Sequence, residues 1–125
     1  MQTPKVVAIV GASSNRRKYG NKALRAFERR GYTVLAINPN ESEVEGHTTY
    51  PSVLDVPGKI DMATIYVPPE AGVTVMEQLA AKGVPEVWLN PGADEEAVVD
   101  RARELGLKVV QACSIIGIGE SPSHY

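Results

Sequence analysis

A single cysteine, Cys113, stands in a chain of 125 residues. It excludes an internal disulfide and a cysteine-based zinc cluster, and it fits a reducing, cytoplasmic setting. Long apolar runs are missing. No stretch approaches the ~20 residues that a membrane helix needs, so no membrane partner is expected. The run Val6 to Val10 follows one lysine and has the outline of a signal peptide. It flows directly into a glycine turn and a helical pattern, however, and reads as a buried strand. An excess of one charge is missing too. Thirteen Lys and Arg face fifteen Asp and Glu, a net charge of -2, which argues against general affinity for nucleic acid. Gly-Lys-Ser/Thr is absent, which argues against a nucleotide triphosphatase. Gly-x-Ser-x-Gly is absent, so Ser13 and Ser14 form no nucleophile elbow. No helix-turn-helix pattern is present, so no direct reading of DNA is expected.

What is present is an ordinary soluble composition, 43% hydrophobic and 22% charged, which argues against disorder. The length suits one domain over residues 1–125, with an ordered core over about 5–115 and a patternless tail at 116–125. A chain of this size folds to a surface of roughly 6,500 Å², about a third of its unfolded surface, which leaves enough for a real core.

Short apolar runs alternate with helical patterns. Val6 to Val10 is a β-branched run that ends at Gly11, the signature of a strand covered on both faces. Ala23, Leu24, Ala26 and Phe27 form a helical stripe closed by Gly31. Tyr32 to Ile37 reads as a second strand, stopped by Asn38-Pro39-Asn40. The polar stretch 41–59 predicts a brief strand near His47 to Thr49 and a helical turn at Ser52 to Asp55. Ile60 to Val67 is a strand halted by Pro68-Pro69. Val73, Met76 and Ala80, with Val75 and Leu79, mark a helix ended by Gly83. Glu86 to Leu89 is a strand that runs into Asn90-Pro91-Gly92. Asp94 is the expected cap of a third helix carrying Val98, Ala102 and Leu105, and Leu107 to Val110 is the last strand. This alternation predicts one α/β domain, a Rossmann-like, doubly wound, mostly parallel sheet of order 3-2-1-4-5-6. In that order the strands ending at Gly11 and at Val67 lie side by side, and ligands bind at the switch point between them.

The charges are uneven. Arg16, Arg17, Lys18, Lys22, Arg25, Arg29 and Arg30 hold seven of the thirteen basic residues, with Glu28 alone among them. Most read as solvated helix surface. Arg16, Arg17 and Lys18 differ, because they stand in the loop before the first helix, where an anion meets a helix N-terminus. In that loop Gly11 permits a tight turn, Ala12 and Ser13 are small enough for a phosphate to approach the backbone, and Gly20 allows close packing as the helix begins. The spacing is not G-x-G-x-x-G. The end of the second strand offers Asn38-Pro39-Asn40 rather than the acid that a NAD ribose requires, with Glu41 only afterwards.

Catalytic constellations are scarce. His47 and His124 have no partner at catalytic or metal-ligand spacing, and Trp88 reads as core. Cys113 follows the last strand at the ligand end of the sheet, either as a buried structural thiol or as a thiol that meets a ligand. The chain is therefore expected to be no enzyme.

Several motifs recur in a familiar order: Gly11-Ala12-Ser13 with Lys18-Tyr19-Gly20, Gly31-Tyr32-x-Val34, Asn38-Pro39, Gly46 with Tyr50-Pro51-Ser52, Val67-Pro68-Pro69, Val87 to Gly92, and Gly106-Leu107-x-Val109-Val110 with Cys113. They resemble the small stand-alone CoA-binding proteins of bacteria and archaea, which are similar to the CoA-binding domain of the succinyl-CoA synthetase alpha subunit. The resemblance runs from Lys5 to about Ile115. It implies a Rossmann-like domain that holds coenzyme A or an acyl-CoA by its nucleotide and pyrophosphate. Gly11, Ala12, Ser13 and Ser14 would line the phosphates, with Lys18, Tyr19 and Gly20 closing the loop over them. Asn38, Pro39 and Asn40 would border the adenosine. Val67, Pro68 and Pro69 would contact the pyrophosphate region and the start of the pantetheine arm, and Asn90, Pro91 and Gly92 would flank that arm. Two departures stand out. The synthetase's lysine shortly after the second strand is replaced by Asn40 and Glu41, and its phosphate-accepting histidine domain has no counterpart. The 3′-phosphate is therefore assigned to Arg16, Arg17 or Lys18. The terminal thiol of the arm is expected within reach of Cys113, and under oxidising conditions a mixed disulfide between the two, reversible by a reducing agent, is expected.

The expected function is thus non-catalytic binding of CoA or acyl-CoA, with a protein partner that reads CoA status as one extension. Two alternatives remain. An NADP-binding reductase would use the same basic residues for a 2′-phosphate, although 125 residues leave little room for a substrate domain. A subunit of a split acyl-CoA synthetase would need a partner chain.

Overall fold

A strand apolar on both faces is stable only between two layers, and the run Val6–Val10 sets that requirement at the centre of the sheet. The computed structural model describes residues 4–125. The chain runs through β1 (Val6–Val10), α1 (Tyr19–Arg29), β2 (Thr33–Ile37), a hairpin of β3 (Glu43–Val44) and β4 (His47–Thr48), a 3-10 turn at Val53–Asp55, β5 (Met62–Ile65), α2 (Pro69–Lys82), β6 (Glu86–Leu89), α3 (Glu96–Glu104), β7 (Lys108–Gln111), α4 (Ser114–Gly117) and a 3-10 turn at Pro122–His124. The main sheet has five parallel strands in the order β2-β1-β5-β6-β7.

Alternate residues of each strand feed two cores. Ala8, Val10, Ala63, Ile65, Val87 and Leu89 pack under α2 and α3, against Met76, Leu79, Val98 and Ala102. Val7, Ile9, Val34, Ala36 and Met62 pack under α1 and α4, against Leu24, Phe27 and Ile115. Trp88 joins that second layer, its ring against Gly117, where a Cβ would come within 2.7 Å of it.

Three local expectations are corrected. The stretch His47 to Thr49 does not add a third strand to the sheet. β4 pairs antiparallel with β3, and the sheet extends past β2 only by one bridge, Ile37 to Tyr50. Pro51 follows at once and has no N–H with which to continue a ladder. Asp94 does not cap α3. Glu95 occupies the N-cap without a side-chain bond, while the Asp94 carboxylate turns back to accept from the Gly92 N–H at 3.3 Å. The tail is not patternless. Ile118 packs against the core layer under α1, Arg30 donates to the Glu120 carboxylate at 2.6 Å and to the Gly119 carbonyl at 2.8 Å, and Arg25 stacks over the Tyr125 ring. Part of the basic face of α1 is thereby covered.

The turn out of β1 leaves no spare volume. Gly11 has φ +94°, and a Cβ there would stand 2.9 Å from the Tyr66 carbonyl carbon. Its N–H donates to the Ile37 carbonyl at 3.0 Å. Gly20, buried at the start of α1, lies against the Gly11 carbonyl oxygen with no room for a side chain. Gly20→Ala must push α1 away from the sheet. It is expected to lower stability by about 2 kcal/mol in urea denaturation, as overpacking against backbone does. A loss below about 0.5 kcal/mol would show that α1 shifts freely.

Candidate functional site

The parallel register brings the strand ends level. Val10 pairs with Ile37 on one side and Ile65 on the other, Ile65 pairs with Leu89, and Leu89 with Gln111. The segments that follow, starting at Gly11, Asn38, Tyr66, Asn90 and Ala112, therefore all leave from one edge. A cleft of about 660 Å³ opens there, within the ~300–1,000 Å³ usual for small-molecule sites. Val10, Gly11 and Ile37 floor it. Asn38 to Asn40, Pro51 and Val53 form the wall beyond β2. Tyr66 to Pro68 and the α2 residues Ala71, Thr74, Val75 and Gln78 form the opposite wall, and Lys18 stands at the rim.

Two helices begin at this cleft. Lys18 is the N-cap of α1 and Pro68 the N-cap of α2, and neither start carries a side-chain cap. The first turn of the 11-residue α1 also holds no acidic residue. Uncapped N–H groups and the positive end of the helix dipole, beside an ammonium, make this rim suited to an anion. The loop itself is braced by side chains. The Asn38 amide donates to the Ala12 carbonyl at 2.7 Å and the Asn21 amide to the Ser13 carbonyl at 2.8 Å. Asn15 accepts from the Arg17 N–H at 3.0 Å, and the Ser13 hydroxyl accepts from the Asn15 N–H at 3.1 Å.

Of the residues expected at a site, Gly11, Lys18, Asn38, Pro39, Asn40, Val67 and Pro68 line the cleft. Ala12 and Gly20 are buried behind it. Ser13 is half-buried, and Ser14, Arg16 and Arg17 are exposed on the outer loop. Tyr19 is 56% exposed beneath the Lys22 ammonium. Pro69 opens α2. Pro91 and Gly92 are exposed in the turn after β6, outside the cleft lining. Cys113 is half-buried in the core layer that holds Tyr66 and Trp88, also outside the lining. The structure adds Pro51, Val53, Tyr66, Thr74, Val75 and Gln78. Ala71, Thr74 and Gln78 are spaced as one helix face, which was a signal in the sequence, but one masked by the apolar Met76 and Leu79 stripe. Among the described residues, no group of three His, Cys, Asp or Glu is placed to hold a metal, and no helix is long and apolar enough to cross a membrane.

Residues 5–118 match the sequence profile of a family described as "CoA binding domain". This chain belongs to that CoA-binding domain family. It is 33% identical over 117 residues to the ADP-forming acetate–CoA ligase I of Archaeoglobus fulgidus, a match covering 86% of this chain and 17% of the ligase. It is 30% identical to the alpha subunit of ADP-forming acetate–CoA ligase I of Pyrococcus furiosus, covering 96% of this chain and 29% of that subunit. The chain thus spans less than a third of these curated relatives. Among solved structures, a conserved hypothetical protein from Pyrococcus furiosus superposes with a TM-score of 0.81 at 31% identity, covering 92% of this chain and 99% of that one.

In this CoA-binding domain Asn90 is committed to the protein itself. It is 3% exposed, and its amide donates to the Thr64 hydroxyl at 2.7 Å and the Ile65 carbonyl at 3.0 Å. Its carbonyl oxygen accepts from the Ser114 N–H at 2.9 Å. The Ser114 hydroxyl in turn meets Thr64 at 2.7 Å and the Tyr66 hydroxyl at 2.9 Å. Burial pushes the Tyr66 hydroxyl above its ordinary value against the opposing hydrogen bonds from Ser114 and Thr64, so it stays protonated and serves as wall rather than base. Asn90→Ala leaves buried donors and acceptors on β5 and α4 unpaired and is expected to cost about 3 kcal/mol in chemical denaturation. An effect under about 1 kcal/mol would mean that the network is dispensable.

Two carboxylates from the segment after β2 reach back to the loop. Glu41 accepts from the Ser14 N–H at 3.0 and 3.2 Å. Glu45 accepts from the Asn21 amide at 3.1 Å and faces the Arg16 guanidinium at 3.5 Å. Hydrogen bonds from Ser14, hydroxyl and then amide, together with the nearby Lys18, hold the Glu41 carboxyl below its ordinary 4.5, against the opposing effect of burial. A depressed folded value means that this tie stabilises the fold above 4.5 and is lost as pH falls through the lower value. In a carboxyl-resolved NMR titration Glu41 should protonate below 4.5, and Ser14→Pro, which removes both the hydroxyl and the amide donor, should move it upward. A midpoint at or above 4.5 would contradict the tie.

Proposed function

We propose that this chain binds coenzyme A or an acyl-CoA, through the nucleotide and pyrophosphate, and performs no chemistry of its own. The observation that carries the reading is the cleft at the switch point between β1 and β5, where an uncapped α1 and Lys18 meet one wall of a 660 Å³ space. Membership of the CoA-binding domain family supports the choice of ligand. In this reading Gly11, Lys18 and the free N–H groups at the start of α1 receive the pyrophosphate, as helix N-termini do. Asn38, Pro39 and Asn40 border the adenosine. Val67, Pro68 and the Thr74–Gln78 face of α2 take the start of the pantetheine arm. Asn90 acts from behind, by fixing the strand ends and Tyr66.

A second reading has its own support. The relatives whose printed names are ADP-forming acetate–CoA ligases are longer, and this chain corresponds to less than a third of each. The same cleft would then serve as the CoA-binding part of a ligase completed by a partner chain.

Titration calorimetry decides between ligands. CoA is expected to bind more tightly than NAD or NADP, and Lys18→Ala should weaken CoA about five- to tenfold and flatten the salt dependence, the scale of one charge-assisted phosphate contact. Tighter binding of NAD, or no effect of Lys18→Ala, would overturn the reading. Acetate-dependent ADP and acetyl-CoA turnover by the purified chain alone would overturn its non-catalytic part.

A further inference from the structure

The two edges of the sheet are finished differently. Beyond β2 the chain itself takes the edge. The Tyr50 N–H donates to the Ala36 carbonyl at 2.9 Å, the Asn38 N–H donates to the Tyr50 carbonyl at 3.0 Å, and Pro51 ends the pairing. At the other edge β7 pairs with β6 and with no other strand among the described residues. It holds no proline and follows β6 through four successive pairs without a bulge. One row of its N–H and C=O groups is therefore left without a partner strand, the arrangement that a further strand extends.

The two faces beside this edge are self-complementary. On one face α3 packs with Val87, Leu89 and Val109. Arg101 donates to Glu77 of α2 at 2.9 Å, which fixes the flank of α3 that faces α2. Glu96 and Arg103 stand two turns apart on the opposite flank, toward the sheet edge. Both are exposed, and neither has an ion-pair partner among the described residues. On the other face Val110 is half-buried and belongs to neither core. It lies level with Trp88, which packs on Gly117 of α4, and the next residue of α4 toward the strand, Ile116, is 63% exposed.

A two-fold axis normal to the sheet and passing by Val110 satisfies both faces. Two β7 strands then run antiparallel and join two five-stranded sheets into one. Val110 meets Val110 of the second copy, Val109 stands opposite Gln111, and Lys108 opposite Ala112, so no like charges are opposed. The two α3 helices run antiparallel over the same seam, with Glu96 of each toward Arg103 of the other. Lys108, whose ammonium lies 3.3 Å from Glu86, disfavours the register in which it would oppose itself.

We infer that the β7 edge is the interface between two copies of this chain, an isologous antiparallel dimer. The seam is separated by β6 from the crevice between β1 and β5, so the inference stands whichever ligand the cleft takes.

The test is analytical ultracentrifugation of the wild-type chain and its variants over about 1–200 µM, which brackets the expected dimer dissociation constant of about 10 µM, the weak end for a small interface. Val110→Lys sets two ammonium groups against each other on the axis and should leave a monomer throughout that range. Glu96→Arg and Arg103→Glu change exposed helix surface and keep the fold. Each alone should raise the dissociation constant about tenfold, and the two together should return it to within about threefold of the wild type. A monomeric wild-type chain overturns the inference, whether the edge then stays bare or is taken by a different protein. So does a dimer that Val110→Lys leaves intact, or a double charge exchange that binds no more tightly than its two single changes.

Discussion

The close approach of two backbones at Gly11 and Gly20 governs the ligand end of this molecule. Gly11 turns β1 out of the sheet with φ +94° while lying against the Tyr66 carbonyl, and Gly20 brings the first turn of α1 onto the Gly11 carbonyl. Neither position has space for a Cβ. Because the approach is so tight, α1 begins directly over the end of β1, with its N-cap Lys18 at the rim of the cleft. The same turn hydrogen-bonds to Ile37 and packs on Tyr66, so it sets the height of the strand ends on both sides.

Around that turn the protein uses polar side chains as braces more than as ligands. Asn21 and Asn38 hold the loop carbonyls, and Asn90 ties β5 to α4. Asn21 and Asn38 satisfy half-buried carbonyls, and Asn90 satisfies buried groups that would otherwise cost about 1–3 kcal/mol each. At the rim the start of α1 at Lys18 has no side-chain cap, and in the interior the Trp88 indole nitrogen is buried without a partner among the described residues. For the ligand proposed above, a cleft braced this way would need little ordering on binding.

Charge then refines what the backbone offers. The loop is strongly basic in sequence, yet Glu41 and Glu45 fold back onto it and occupy Ser14, Asn21 and Arg16. Relatives more than three times as long contain a segment similar to this chain, and a solved structure from Pyrococcus furiosus is matched over 99% of its own chain. Its core has the layered form expected of an independent unit, with two cores on opposite faces of one sheet.

Most of the architecture was legible locally. β-branched runs marked the strands, glycines at Gly31, Gly83 and Gly106 marked helix ends, and alternation of the two predicted the parallel sheet. Gly11, Lys18 and the turns Asn38–Asn40 and Val67–Pro68 were legible as cleft residues, because strand ends in such a sheet share one edge. What tertiary structure alone decided lies in contacts between distant positions. Glu41 meets Ser14 across 27 residues, and Ser114 meets Asn90 across 24. Asn90, expected beside a ligand, was claimed by the core. The short strand at His47 folded onto its own neighbour, and the apparently patternless tail docked on α1 and its core layer through Ile118, Glu120 and Tyr125. Periodicity reports which face of an element is apolar. It carries no information on where a polar side chain in a loop will find its partner, since that depends on register and on the path of chain between, which exist only once the sheet has formed.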